Sequence, residues 1–389
     1  MELTAGYEFT EVGMVPDTWA VSRLGDISEV TAGGTPSRAI AAYWNGDISW
    51  VTTSEIDFTE ITFTQQFITD DGLLNSAAKR LVPGTLLMAL YGQGKTRGKV
   101  GILGIPAATN QACAAISVNE NASHLYVFHW LRSRYDAIRK LSNSGSQDNL
   151  SGSLVRSILV PLPPIAEQHA IATALGDVDA LLEGLDQLIA KKRDLKQAAM
   201  QDLLTGRTRL PGFHGEWEVA GLSALCAMKS GEGITGADID DFAMYPCYGG
   251  NGIRGYTSRF THEGRFALIG RQGALCGNVV EVNGRFFASE HAVVVTPKLR
   301  TDIRWLAYVL GTMNLNQYSE SSAQPGLSVS KILMLEVDVP PSKAEQAAIA
   351  NVLSDMDAEL SALESRRDKT LALKQAMMQE LLTGRTRLV

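Results

Sequence analysis

The apolar positions of this chain follow two kinds of pattern. In residues 166–210 they step by four and three through Ile171, Leu175, Val178, Leu182, Leu185 and Ile189, the spacing that lines one helix face and makes a coiled-coil seam. The same stepping returns in residues 344–388 with Ile349, Leu353, Met356, Leu360 and Leu363. Lys191, Lys192 and Arg193 break the first seam and Arg366 and Arg367 the second; each resumes in shifted phase, with Leu195, Ala199 and Leu203 or with Leu373, Met377 and Leu381. That shift predicts a stutter. A proline pair precedes each segment, Ser342 and Glu345 have capping-box spacing, and Gly206 and Gly384 stand where a left-handed C-cap belongs. Each segment is predicted to be a helix of roughly 40 residues, about 60 Å long.

The other apolar runs are short and of β type, among them DISWVTT, LLMALYG, RFALIG and HAVVVT, separated by glycine, asparagine and proline turns. The prediction is therefore an α/β (α+β) chain with globular domains at 1–160 and 209–338 and helical segments at 161–208 and 339–389.

The helical segments are a duplication. Aligned without a gap from Ala166 and Ala344, about 27 of some 45 positions are identical, ending on LLTGRTRL in both. The globular segments share only landmarks: WAVSRL with WEVAGL, Gln93-Gly94 with Gln272-Gly273, and DNLSGS with PGLSVS. Near-identical helices beside divergent domains suggest one kind of partner bound twice and two different targets. Apolar stripes this long need a partner, and antiparallel pairing of the two helices is expected, a pseudo-twofold arrangement. It would bring Asp177 and Asp179 toward Lys374, and Asp355 and Asp357 toward Lys196. Carboxylates two apart on a helix point in different directions, so salt bridges or partner contacts, not joint catalysis, are their expected use.

Composition narrows this further. A chain of 389 residues exceeds one ordinary core. It has no apolar run of membrane-spanning length and no signal-like N-terminus, so cytoplasmic residence without membrane association is expected. Cys113, Cys226, Cys247 and Cys276 lack metal spacing and are expected to be buried thiols. The formal charge of −7 excludes a wholly basic nucleic-acid-coating protein but not a local basic groove.

ALYGQGKT, Ala89–Thr96, fits a relaxed phosphate-loop pattern, yet its continuation RGKVGILGIP cannot begin a good helix, so a glycine-rich hairpin turn is the expectation. As a DNA-contacting turn it offers Lys95, Arg97 and Lys99 with Tyr91 and Gln93. The second domain offers Arg254, Tyr256, Arg259, Arg265, Arg271 and Gln272. His124, His129, His169, His214, His262 and His291 form no metalloprotease pattern, and no nucleophile elbow occurs.

GGTPSRAIAAYWNGDISWVTTSEI from Gly33, the helix starts PLPPIAEQHAIA and VPPSKAEQAAIA, and the exits LLTGRTRL resemble the DNA-specificity subunit of type I restriction-modification systems across essentially the whole chain. The resemblance implies two target recognition domains that each read one part of a split duplex DNA site, with the helices as an antiparallel spacer. It adds Thr35, Ser37, Arg38, Tyr43 and Trp44 as DNA contacts. For subunit docking it implies Asp177, Asp179, Lys196, Arg207, Asp355, Asp357, Lys374 and Arg385. Two methyltransferase subunits, carrying S-adenosylmethionine for adenine-N6 methylation, and restriction/translocase subunits using ATP and Mg would be the partners. This chain would bind no cofactor and catalyse nothing itself. The competing expectations are a coiled-coil scaffold with protein-binding domains and a nucleotide-dependent enzyme resting on ALYGQGKT.

Overall fold

A computed structural model describes residues 6–92, 94–141, 149–273, 276–319 and 326–388. The two duplicated segments are helices of 39 residues each, Ile165–Leu203 and Lys343–Leu381. The first runs straight through Lys191–Arg193. Ion pairs accommodate the change of seam phase there, with Lys192 Nζ 2.6 Å from Glu359 and Arg193 paired with Glu364. The chain packs as two compact units, Met1–Leu185 with Arg366–Val389, and Asp186–Ser365. Each long helix thus gives one half to each unit.

In the first unit, five strands lie in the order Ser28–Ala32, Cys113–Val118, Leu86–Ala89, Val100–Leu103, Glu60–Ile61, all antiparallel except the last pair. Leu86 through Ala89 are all buried, as expected of a central strand covered on both faces. A three-stranded sheet, Ala107–Thr109, Trp44–Val51 and Phe67–Ile68, adds a second small core around Trp50. Helix His124–Ser133 is tied to strand Leu159–Leu162 by Tyr126 Oη and Trp130 Nε1, each donating to a backbone carbonyl at 2.8 Å. That strand pairs with Ala20–Arg23 and leads through the prolines into the first long helix.

The second unit repeats this frame with other side chains. Its six strands run Cys226–Ser230, Ala292–Pro297, His262–Gly270, Val279–Ala288, Tyr245–Gly249, Gly252–Thr257. Helix Ile303–Thr312 is capped by Asp302, and Glu218–Gly221 pairs with Glu336–Val339 as Ala20–Arg23 pairs with Leu159–Leu162. The helix halves form a wall of each unit's core. Ile171, Leu175, Leu381 and Leu382 cluster with Met88, Val100 and Tyr126 in the first, and Leu203, Ile349 and Leu353 with Trp305 and Leu310 in the second.

Each unit closes its helix pair with the same polar clamp, in which the start of one helix meets the exit of the other. In the first unit, buried Glu167 accepts from Arg387 Nε and Nη2 at 2.6 and 2.7 Å, and the guanidinium stands 5.6 Å from the Trp19 ring. In the second, buried Glu345 accepts from Arg209 at 2.5 and 2.8 Å, with Trp217 at 5.9 Å. The capping box expected at Ser342 is therefore only half formed. Ser342 Oγ accepts from the Glu345 amide at 3.2 Å, but the Glu345 carboxylate is taken by Arg209. The neighbouring glutamines tie the helix starts to the domains: Gln168 Oε1 accepts from Ser123 N, and Gln346 Oε1 from Asp302 N, both at 2.8 Å. Gly206 and Gly384 both adopt φ +69°, the left-handed cap that turns each arginine back toward its glutamate.

Candidate nucleic-acid interface

The Gly33–Arg38 loop leaves strand Ser28–Ala32 and is pinned on two sides. A Cβ at Gly33 would stand 2.2 Å from Thr109 O, and one at Gly34 would stand 2.2 Å from Ala78 N. From this base the predicted residues converge on Trp50, which is buried and donates Nε1 to Gly34 O at 3.0 Å. Trp44 packs edge-on against Trp50 at 5.0 Å and donates to Ser37 O at 3.1 Å. The Arg38 guanidinium lies 3.8 Å from the Trp44 ring, a stacked cation–π contact, and donates to Gln66 Oε1 at 2.7 Å. Thr35 Oγ1 donates to Gln111 Oε1. Tyr43 is half-buried and gives its carbonyl to Thr69 N. Gln66 and Gln111, which sequence reasoning missed, stand 28 and 76 residues from their partners, and no local spacing signals such pairs.

The Tyr91–Lys99 turn joins the antiparallel strands Leu86–Ala89 and Val100–Leu103, the expected hairpin; no helix start follows, so a phosphate loop is not formed. Its cations take separate environments. Lys95 is exposed, with its carbonyl accepting from Tyr135 Oη. Arg97 is half-buried and donates to Arg139 O, and Lys99 pairs with Asp57. Tyr91 is exposed, and Gln93 lies outside the described residues.

In the second unit Arg271 and Gln272 occupy the matching turn. Arg271 N donates to His291 O and Leu327 N to Arg271 O, as Leu90 N donates to Ala112 O and Leu150 N to Leu90 O in the first. Likewise Gly277 N donates to Gly270 O where Gly98 N donates to Ala89 O. The second turn is thus two residues shorter, while Gln272 keeps the spacing to Gly277 that Gln93 has to Gly98 in sequence. Arg271 Nη1 donates to Ser230 Oγ, and Gln272 Oε1 meets His291 Nδ1 at 3.0 Å. Arg254 and Tyr256 are exposed on strand Gly252–Thr257. Arg259 pairs with Glu232 and covers the Phe287 ring, while Arg265 pairs with Glu281.

The helix residues divide between inner and outer positions. Lys374, only 2% exposed, bonds Asp179, which also receives Arg132 at 3.1 Å. Burial pulls the Lys374 ammonium pKa down, opposed by Asp179. In the second unit Lys196 bonds Asp357, whose other oxygen accepts from Tyr308 Oη at 2.7 Å. Asp177, Asp355, Arg207 and Arg385 are exposed. All four cysteines are free and buried, and burial drives the Cys113 thiol up to about 12. No grouping of metal-ligating side chains occurs among the described residues, and none of their helices is long and apolar enough to cross a membrane.

The family model for the type I restriction modification DNA specificity domain matches residues 16–191 and again 214–373. The EcoprrI specificity subunit of Escherichia coli is 31% identical over 363 residues, 86% of each chain. The MjaIX specificity subunit of Methanocaldococcus jannaschii is 28% identical over 185 residues, 46% of this chain and 41% of that one. The crystal structure of the S subunit from M. genitalium superposes with a TM-score of 0.69 at 15% identity over 98% of both chains, a likeness of fold. With the duplicated frame, the matched helix pair and both domain matches in hand, the chain belongs to the type I restriction-modification DNA specificity subunits, and is noncatalytic by itself.

Proposed function

We propose that residues 1–160 and 209–338 are target recognition domains, each reading one part of a split duplex DNA site, and that segments 161–208 and 339–389 set their separation. The observation that carries this is the repetition of one clamp, Glu167–Arg387–Trp19 and Glu345–Arg209–Trp217, beneath two domains with different surfaces. Equal supports with unequal faces suit two equal partners and two unequal DNA sequences.

DNA contact is assigned to Thr35, Ser37, Arg38, Tyr43 and Trp44, to Tyr91, Gln93, Lys95, Arg97 and Lys99, and to Arg254, Tyr256, Arg259, Arg271 and Gln272. Lys95, exposed and without a carboxylate partner among the described residues, suits a phosphate contact; Arg38, held over the Trp44 ring and bonded to Gln66, suits a fixed place at the edge of the groove. Docking of two modification subunits is assigned to exposed Asp177, Asp355, Arg207 and Arg385, with Asp179, Lys374, Lys196 and Asp357 holding the helix faces in place. Those subunits would bring S-adenosylmethionine for adenine-N6 methylation, and restriction subunits ATP and Mg.

The test is duplex binding by the full chain with its co-expressed modification subunit, titrated against salt. Lys95→Ala should lower the salt slope by roughly one counterion and weaken all sequences about equally. Binding that is neither sequence-selective nor salt-dependent in the unsubstituted complex would overturn the reading.

A further inference from the structure

Gln66 is held from both ends. Its carbonyl oxygen accepts from Trp50 N at 2.9 Å, and its side-chain Oε1 accepts from Arg38 Nη2 at 2.7 Å. The strap before it is tied by Glu55, whose Oε1 accepts from Thr64 Oγ1 at 2.6 Å and from Gln65 N at 3.0 Å. Arg38 is itself fixed by stacking on Trp44, which packs on buried Trp50. An arginine can only donate, so the Gln66 amide must turn its oxygen to Arg38 and its NH2 away. Among the described residues that NH2 donates to no acceptor. Amide orientation is usually ambiguous from geometry alone, but a donor-only neighbour removes the ambiguity.

We propose that Gln66 is a specificity-determining residue of the first recognition domain, presenting Nε2 as a hydrogen-bond donor to an acceptor on a DNA base edge, with Arg38 as its positioning residue. The inference rests on the reading of this domain as DNA-contacting. Guanine O6 and N7, adenine N7 and thymine O4 are the acceptors such a donor meets in the major groove, whereas cytosine offers a donor there. A preset amide loses little rotamer freedom on binding, so more of the bond is realised where the base edge offers an acceptor.

The experiment is selection from randomised duplexes by the full chain with its co-expressed modification subunit, comparing the unsubstituted chain, Gln66→Ala and Gln66→Glu. Gln66→Glu keeps a partner for Arg38 while replacing the donor by an acceptor. The expected result is a change at one base pair of one half-site only. Gln66→Ala should relax preference there by roughly 2- to 12-fold, the worth of a single hydrogen bond, and Gln66→Glu should shift it toward a base edge that offers a donor. The other half-site, read by the second domain, reports that each variant is folded and assembled. Unaltered preference at every position with both variants overturns the assignment of Gln66. Failure of the unsubstituted chain to enrich any sequence would overturn the DNA reading itself, so the two failures are distinct.

Discussion

Glu167 and Glu345 have 0% and 1% of their surface exposed, yet each meets a bidentate arginine. Removing one partner of a buried ion pair leaves an uncompensated charge, at a cost of about 3–5 kcal/mol. Arg387→Ala should therefore destabilise the first unit, and Arg209→Ala the second, by about that much, read as a shift in urea unfolding midpoint. A change within experimental error would mean the glutamates are solvated. His129, buried with Nδ1 unpartnered among the described residues, has its pKa lowered from 6.5 to about 4, chiefly by desolvation. A histidine depressed in the folded state binds protons more readily when unfolded. Its contribution is full above 6.5 and is lost as pH falls toward 4, about 3 kcal/mol in all. The first unit of a His129→Leu chain should accordingly lose less stability over that window than the parent; equal slopes would refute this.

At the scale of elements, the two helix caps offer a graded test. A Cβ at Gly384 would stand 2.4 Å from Pro16, whereas at Gly206 it would meet Trp217 at 3.0 Å, and both backbones are left-handed. Each alanine should cost about 1–2 kcal/mol for the backbone alone, with Gly384→Ala the worse of the two by thermal melting. The caps and the full length of both helices were legible in the sequence because period and glycine placement are local signals. What the glutamate of each AEQ does was not, since its arginine is 220 or 136 residues away. The same holds for the surface proposed to contact DNA. Lys95, Arg97 and Lys99 cluster in sequence at a spacing of two, which on a strand would share one face. They lie, however, in the turn between two strands, where no such alternation holds, and Lys99 ends on Asp57 and Arg97 beside Arg139. In the second domain the turn is two residues shorter, a difference that the shared Gln-Gly landmark alone does not reveal.

For the whole molecule, repeated helices need not make equal surfaces. Arg132 joins Asp179 in the first unit, whereas at the corresponding place in the second Tyr308 binds Asp357. Burial, followed by that hydrogen bond, raises the Tyr308 phenol pKa, so it stays neutral and the second cluster carries one positive charge fewer. The two inner clusters thus differ in charge, while Asp177 and Asp355 are exposed alike on the outer side. On the docking assignment, Asp177→Lys and Asp355→Lys should each weaken binding of one modification subunit, and the pair together both, measured by mass photometry of the assembled complex; full assembly by the doubly substituted chain would sink the assignment. The clamps also set an order of completion during synthesis. Glu345 finds Arg209 already made, but Glu167 must wait for Arg387, 220 residues later, roughly 10 to 45 seconds at ordinary elongation rates. The domain that emerges first from the ribosome is therefore the last to close, and through that interval its glutamate and the apolar stripe of its helix lack the partners they have in the finished unit.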